Sequence, residues 1–179
     1  MRLILVKRGN PYTKLTPNHC LRRLAGALLS SSCVPALPGL MDEIGAWGQI
    51  EIVSGWRSQE EQEQIYNDSL TENGSEFTAK YVALPGHSEH QIGLAVDLAL
   101  SRPDIDTLRP HFPYTGICGT FRAKAAEYGF IERYPQGKES ITGIAHEPWH
   151  FRYVGTPHAA IMTQMGFTLE EYLKWMENR

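Results

Sequence analysis

Residues 94–100 read Leu-Ala-Val-Asp-Leu-Ala-Leu, large apolar residues alternating with small ones around a single carboxylate. Side chains along a strand point alternately to its two faces. Leu94, Val96, Leu98 and Leu100 therefore share one face, and Gly93, Ala95, Asp97 and Ala99 share the other. One face packs a core, while the other is cleared of bulk around Asp97. An ionised aspartate in a half-buried strand is costly unless it is paired or coordinates a cation. The fold must therefore place a core on one side of this strand and a polar partner set on the other.

The first candidate partner is His90, within Gly-His-Ser-Glu-His-Gln-Ile-Gly-Leu-Ala-Val-Asp (86–97). On an unbroken strand residues 90 and 97 would face opposite ways, so His90 belongs outside the strand. Gly93, lying between them, can take turn or bulge angles. The second candidate comes from His-Glu-Pro-Trp-His (146–150), which matches the H-E-x-x-H zinc-protease helix letter for letter. Pro148 defeats that helix. Inside one turn it removes a backbone donor and clashes, costing about 3 kcal/mol or more, and it biases Glu147 away from helical angles. The aromatic run that follows reads as a strand over 149–154. His150, added to His90 and Asp97, completes the three-ligand set typical of catalytic zinc, whose fourth position holds a water with a pKa lowered to about 7. Glu147 would then act as general base, a role worth about 10² to 10⁴ in rate. The spacing fits a plainer arrangement as well, with His90 and Asp97 in a structural hydrogen bond and His150 an ordinary strand residue.

Around these segments the pattern is mixed. A first strand over 2–6 opens the chain, and Thr16-Pro17 reads as an N-cap with proline at the first helical position, before a helix through 18–29. A short helix is expected over 39–46 and a strand over 49–53. Ser58 with Glu61 forms a capping-box pattern that starts a helix at Gln59, and Asn73-Gly74 ends it. A helix over 119–128 stops at Gly129, and two short helices close the chain, the second capped by Thr168 with Glu171. Strands and helices lack a βαβ rhythm, which predicts an α+β fold in one domain spanning 1–179, with a small antiparallel sheet flanked by helices. A net charge of −3 gives no reason to expect nucleic acid. Five apolar positions before Lys7 are too few for a signal-peptide core or a membrane span. Three cysteines without a C-x-x-C pair favour a reducing compartment, and together these features predict a cytoplasmic protein.

Ser-Glu-His-Gln-Ile-Gly-Leu-Ala-Val-Asp (88–97) and Glu-Pro-Trp-His (147–150) resemble the S-x-H-x-x-G-x-A-x-D and E-x-x-H motifs of the zinc D,D-peptidases of the VanX/VanY type. That family shares its fold with the hedgehog signalling domain. The resemblance covers roughly 100 residues and is strongest to the bifunctional VanXY subgroup of vancomycin-resistance enzymes. It implies Zn²⁺ held by His90, Asp97 and His150, with Glu147 as catalytic base and Arg57 stabilising the oxyanion. It further implies that Ser88 and Gln62 contact substrate and that Tyr81 and Trp149 wall the pocket. His87 and His146 fall outside the ligand positions. One departure is Trp56, in Ser-Gly-Trp-Arg-Ser (54–58), where the family has tyrosine. The implied activity is hydrolysis of D-Ala-D-Ala and of the terminal D-Ala of peptidoglycan-precursor pentapeptide. The alternatives are an L,D-carboxypeptidase or cell-wall endopeptidase of the same fold, and a non-catalytic peptidoglycan-binding module.

Overall fold

The stretch around Asp97 forms an inner strand of a small antiparallel sheet, in a computed structural model that describes residues 3–12 and 20–179. In chain order, a hairpin of β1 (Leu21–Leu24) and β2 (Ala27–Ser30) leads to helix α1 (Ala36–Glu43), strand β3 (Ile50–Ser54) and the long helix α2 (Gln59–Tyr81). A 3-10 turn, Glu89–Ile92, then enters β4 (Ala95–Leu100). Helix α3 (Gly116–Lys124), a second 3-10 turn (Ala125–Tyr128), β5 (Phe130–Tyr134) and the one-turn α4 (Glu139–Thr142) follow. Strand β6 (Glu147–Tyr153) and helices α5 (Thr156–Met165) and α6 (Leu169–Glu177) complete the chain. The main sheet runs β3–β4–β6–β5 with every pairing antiparallel, which is the α+β architecture expected.

The alternation in β4 sorts its faces as anticipated. Val96 and Leu98 are buried against Leu37, Leu40 and Met41 of α1 and Cys118 and Phe121 of α3. The rings of Phe112, Phe121 and Phe151 meet edge to face there, with centroids 5.0 to 5.7 Å apart. Each such fully buried side chain contributes about 1.5–3 kcal/mol relative to exposure. Leu94, at the strand's entry, packs instead with Val6 and Ile92. Helices α5 and α6 cover β5 through Ile131, Ala159, Met162, Leu169 and Tyr172.

Four local expectations change. The segment read as a helix through 18–29 is the β1–β2 hairpin, with Asn18 and His19, like Thr16-Pro17, outside the described residues. Its turn, Ala25-Gly26, takes positive φ at both positions (43° and 90°), which suits a two-residue hairpin. The helical spacing of its leucines is overridden by packing beside β3, just past whose end Trp56 N donates to Leu28 O at 2.6 Å. The opening segment is extended over 3–6 but joins no sheet; Arg152 holds it by donating to Ile4 O at 2.8 Å. Helix α1 starts and ends three residues early, because Pro38 sits in its first turn, where no N–H is missed, and Gly45 (φ 63°) stops it. Helix α2 leaves helical angles at Gly74 (φ 80°, ψ 170°) as expected, then resumes to Tyr81.

Both expected capping boxes, Ser58 with Glu61 and Thr168 with Glu171, are formed. Gly129 ends the second 3-10 turn at φ 83°, and a side chain there would place Cβ 2.9 Å from Gly155 Cα. Gly129→Ala is expected to lower the unfolding free energy by about 2 kcal/mol or more, from left-handed strain plus the clash. Urea denaturation of the variant beside wild type measures it.

Candidate active site

Asp97 on β4 and His150 on β6 are direct cross-strand partners, so both side chains leave the sheet on the same face. His90 reaches them from the 3-10 turn, where Gly93 (φ 70°) closes the turn and lets β4 begin. His90 Nδ1 donates to the Gly55 carbonyl at 2.6 Å, which leaves Nε2 directed at Asp97 Oδ2, 3.1 Å away. His150 Nδ1 lies 3.0 Å from Asp97 Oδ1. One donor atom from each of these three residues lies within 4.8 Å of the others, and all three residues are buried. Asp97 Oδ1 makes no hydrogen bond of normal geometry, although the imidazole nitrogen is close. Atoms that face a common point in this way suit a shared cation better than each other. Two imidazoles and a carboxylate suit zinc.

Glu147 lies three residues before His150, and on a regular strand it would face away. The register between β5 and β6 breaks here. Glu132 pairs with Phe151 but Tyr134 pairs with Glu147, so β6 spends four steps where β5 spends two. Pro148, which has no N–H to give the ladder, sits inside the bulge, and its carbonyl accepts from Arg122 Nη2 at 2.7 Å. The bulge returns Glu147 to the site, with Oε2 3.7 Å from His150 Nδ1. Burial, only partly offset by the charge on His150, pushes Glu147 up to about 8. Burial disfavours a charge on His150, but Asp97 and Glu89 outweigh it and push that ring up to about 9. His90 goes the other way, held below its ordinary value by burial and the Arg57 guanidinium.

A one-residue bulge in β3, between Ile52 and Ser54, sets Ser54 opposite Asp97 and aims the following loop at the site. Arg57 Nη2 reaches Asp97 Oδ2 at 2.9 Å, its Nε donates to Ser54 Oγ at 3.0 Å, and its Nη1 donates to Gln62 Oε1 at 3.4 Å. All nine residues singled out from the sequence line one cavity of about 280 Å³: Arg57, Gln62, Tyr81, Ser88, His90, Asp97, Glu147, Trp149 and His150. Gln62 is fully buried and also donates to Ala83 O at 2.9 Å, so its amide is tied to the cavity wall. Trp149 packs into the main core with one edge on the cavity. His87 and His146 do not line it. His146 instead contacts the Tyr114 hydroxyl at 2.8 Å and Glu132 at 3.4 Å.

Among the cavity residues that escape the sequence reading, two touch His150. Tyr134 lays its ring against His150, centroids 4.9 Å apart, and Glu89 sits behind the same histidine. Glu89 lies between Ser88 and His90, where strand or turn logic gives no reason to bury a carboxylate. Only the two arginines Arg133 and Arg152, each inside an aromatic strand, hinted that an internal anion was needed.

The model of the VanY family, D-alanyl-D-alanine carboxypeptidase, matches residues 27–156. The bifunctional D-Ala-D-Ala dipeptidase and carboxypeptidase VanXYC of Enterococcus gallinarum is 48% identical over 134 residues, which are 74% of this chain and 70% of that protein. The crystal structure of the vancomycin-resistance D,D-dipeptidase VanXYg with a D-Ala-D-Ala phosphinate analogue superposes with a TM-score of 0.89 at 50% identity, covering 97% of this chain and 70% of the other. A mutant of the D,D-pentapeptidase VanY from a VanB-type cassette, in complex with Zn(II), gives 0.76 at 33% identity over 95% of this chain and 97% of the other. The chain belongs to the VanY family of D-alanyl-D-alanine carboxypeptidases.

Proposed function

We propose that this protein is a zinc D,D-peptidase that hydrolyses D-Ala-D-Ala and removes the terminal D-Ala of peptidoglycan-precursor pentapeptide. The observation that carries the reading is the convergence of His90 Nε2, the Asp97 carboxylate and His150 Nδ1, with Glu147 Oε2 3.7 Å from that last nitrogen. Its relatives support the substrate class, because VanXYC is named for both activities and VanXYg is bound to a D-Ala-D-Ala analogue. Loss of D-Ala-D-Ala ends would remove the group that vancomycin binds. A cytoplasmic place of action fits the three unpaired thiols, Cys20, Cys33 and Cys118. No helix among the described residues is long and apolar enough to cross a membrane.

His90, Asp97 and His150 would hold the zinc. When bound, zinc polarises water and the scissile carbonyl, lowering the barrier to attack. Glu147 removes the proton from the attacking water and later delivers it to the departing amine nitrogen of D-alanine. A carboxyl poised near neutral pH suits both transfers. Arg57 presents a fixed guanidinium where negative charge grows on the carbonyl oxygen, anchored by Ser54 and Gln62 so that little reorganisation is needed. Tyr81, Val82 and Trp149 restrict the cavity around a small peptide end, and buried Ser88 offers a hydroxyl at its rim.

D-Alanine release from dipeptide and pentapeptide, measured beside bound zinc, tests the assignment. Glu147→Ala is expected to keep its zinc and to lose about 10² to 10⁴ in kcat; turnover equal to wild type would remove the glutamate from the reaction. Arg57→Lys is expected to lower kcat by about 10² to 10³ with zinc retained, since a point charge replaces a braced fork. Release of D-alanine from an L-Lys-D-Ala end but not from D-Ala-D-Ala would instead mark an L,D-carboxypeptidase. Proton linkage gives a further check. His150 carries a proton below about 9 in the metal-free protein, and that proton must leave for Nδ1 to bind. Zinc uptake at pH 7 should therefore release on the order of one proton and weaken as pH falls; calorimetry in buffers of different ionisation enthalpy measures the release.

A further inference from the structure

Behind the ligand set lies a second charge cluster that takes no part in the mechanism above. Glu89, Arg133 and Arg152 are each 1% exposed or less. Glu89 Oε1 lies 2.8 Å from Arg133 Nε and 2.9 Å from Arg152 Nη1. The other two nitrogens of Arg133 form a fork onto Glu170 of α6, at 2.9 and 2.8 Å. Arg152 is fixed in turn by its bonds to the carbonyls of Ile4 and Tyr153. The two guanidinium groups outweigh the cost of burial and hold the Glu89 carboxyl below its ordinary range.

Glu89 Oε2 is left over. It is buried, makes no hydrogen bond, and faces His150 Nε2 at 3.7 Å, an atom that is itself buried and without a hydrogen bond. Leaving either atom unpaired is expensive, and each is the polar group that the other faces. Tyr134 packs against the His150 ring, and the Arg133 guanidinium lies over the tyrosine ring at 4.9 Å, so the imidazole is held in place by packing. We propose that Glu89 is the positioning residue for His150: its carboxylate, oriented by Arg133 and Arg152, accepts the Nε2–H and leaves the Nδ1 lone pair aimed at the point shared with His90 and Asp97. His90 is oriented the same way by different means, since its Nδ1–H is taken by the Gly55 carbonyl. Metal-bound histidines commonly donate their second ring N–H to such a group. The inference rests on the zinc-peptidase reading.

The test measures zinc affinity, by competition with a chelator, and apo-protein melting for Glu89→Gln, Glu89→Asp and Glu170→Gln. Glu89→Asp keeps the charge that the buried arginines need but withdraws the oxygen from His150. Both Glu89 variants are expected to bind zinc about 10- to 100-fold more weakly. Glu170→Gln breaks the same network one link further out, and it should lower the melting temperature with zinc affinity unchanged. Wild-type affinity in Glu89→Asp, or equal weakening in Glu170→Gln, overturns the positioning role. Long-range ¹H–¹⁵N spectra of the zinc-loaded wild type give a readout free of any folding defect. They should show His150 protonated at Nε2, and a proton at Nδ1 overturns the proposal. A wild type that takes up no zinc would sink the zinc reading itself, whereas normal uptake with indifferent Glu89 variants sinks only the inference.

Discussion

A carboxylate buried in the middle of a strand is the constraint on which this molecule turns. Asp97 is 4% exposed, and its charge survives there because His90, His150 and Arg57 all reach it within about 3 Å. Each of those groups arrives from a different element, so the requirement to neutralise one aspartate draws together the 3-10 turn, the far end of β3 and the neighbouring strand β6. The two bulges make this geometry possible. A regular β6 would turn Glu147 toward the core behind the sheet, and a regular β3 would rotate the loop carrying Arg57 away from Asp97. Small residues around Asp97 then keep its face open, while the leucines opposite do the packing.

The electrostatics of the site follow from the same crowding. Within one buried group, His90 is pushed down while His150 and Glu147 are pushed up. Burial opposes a charge on both rings; at His90 the Arg57 guanidinium adds to it and outweighs Asp97, whereas at His150 the carboxylates of Asp97, Glu89 and Glu147 outweigh it. Three neighbouring groups are thus shifted in different directions although all are buried. The C-terminal helices take part through Glu170, which neutralises Arg133 and so lets that arginine stay beside Glu89.

Much of this was readable in advance, and the exceptions share a cause. The strand around Asp97, the capped helix from Gln59 and the final helices rest on local signals (alternation and capping boxes) that tertiary packing reinforced. Pro148 correctly excluded a helical H-E-x-x-H, and all the residues singled out from the motifs line one cavity. The hairpin at 21–30 was missed because Leu21, Leu24 and Leu28 also fit a helical stripe. The choice was made by contacts to β3, distant in sequence. Glu89 was missed for a similar reason. A carboxylate between Ser88 and His90 looks like a solvated side chain until Arg133 and Arg152, more than forty residues later, are placed behind it.

Gly55 joins these themes. A side chain there would bring Cβ within 2.3 Å of the Leu28 carbonyl, and its own carbonyl orients His90. Descendants of this chain therefore cannot acquire any larger residue at position 55 without first remodelling the hairpin. A buried histidine of the cavity and a peripheral hairpin of the fold are in this way bound to a common evolutionary fate, through an atom that neither of them contributes.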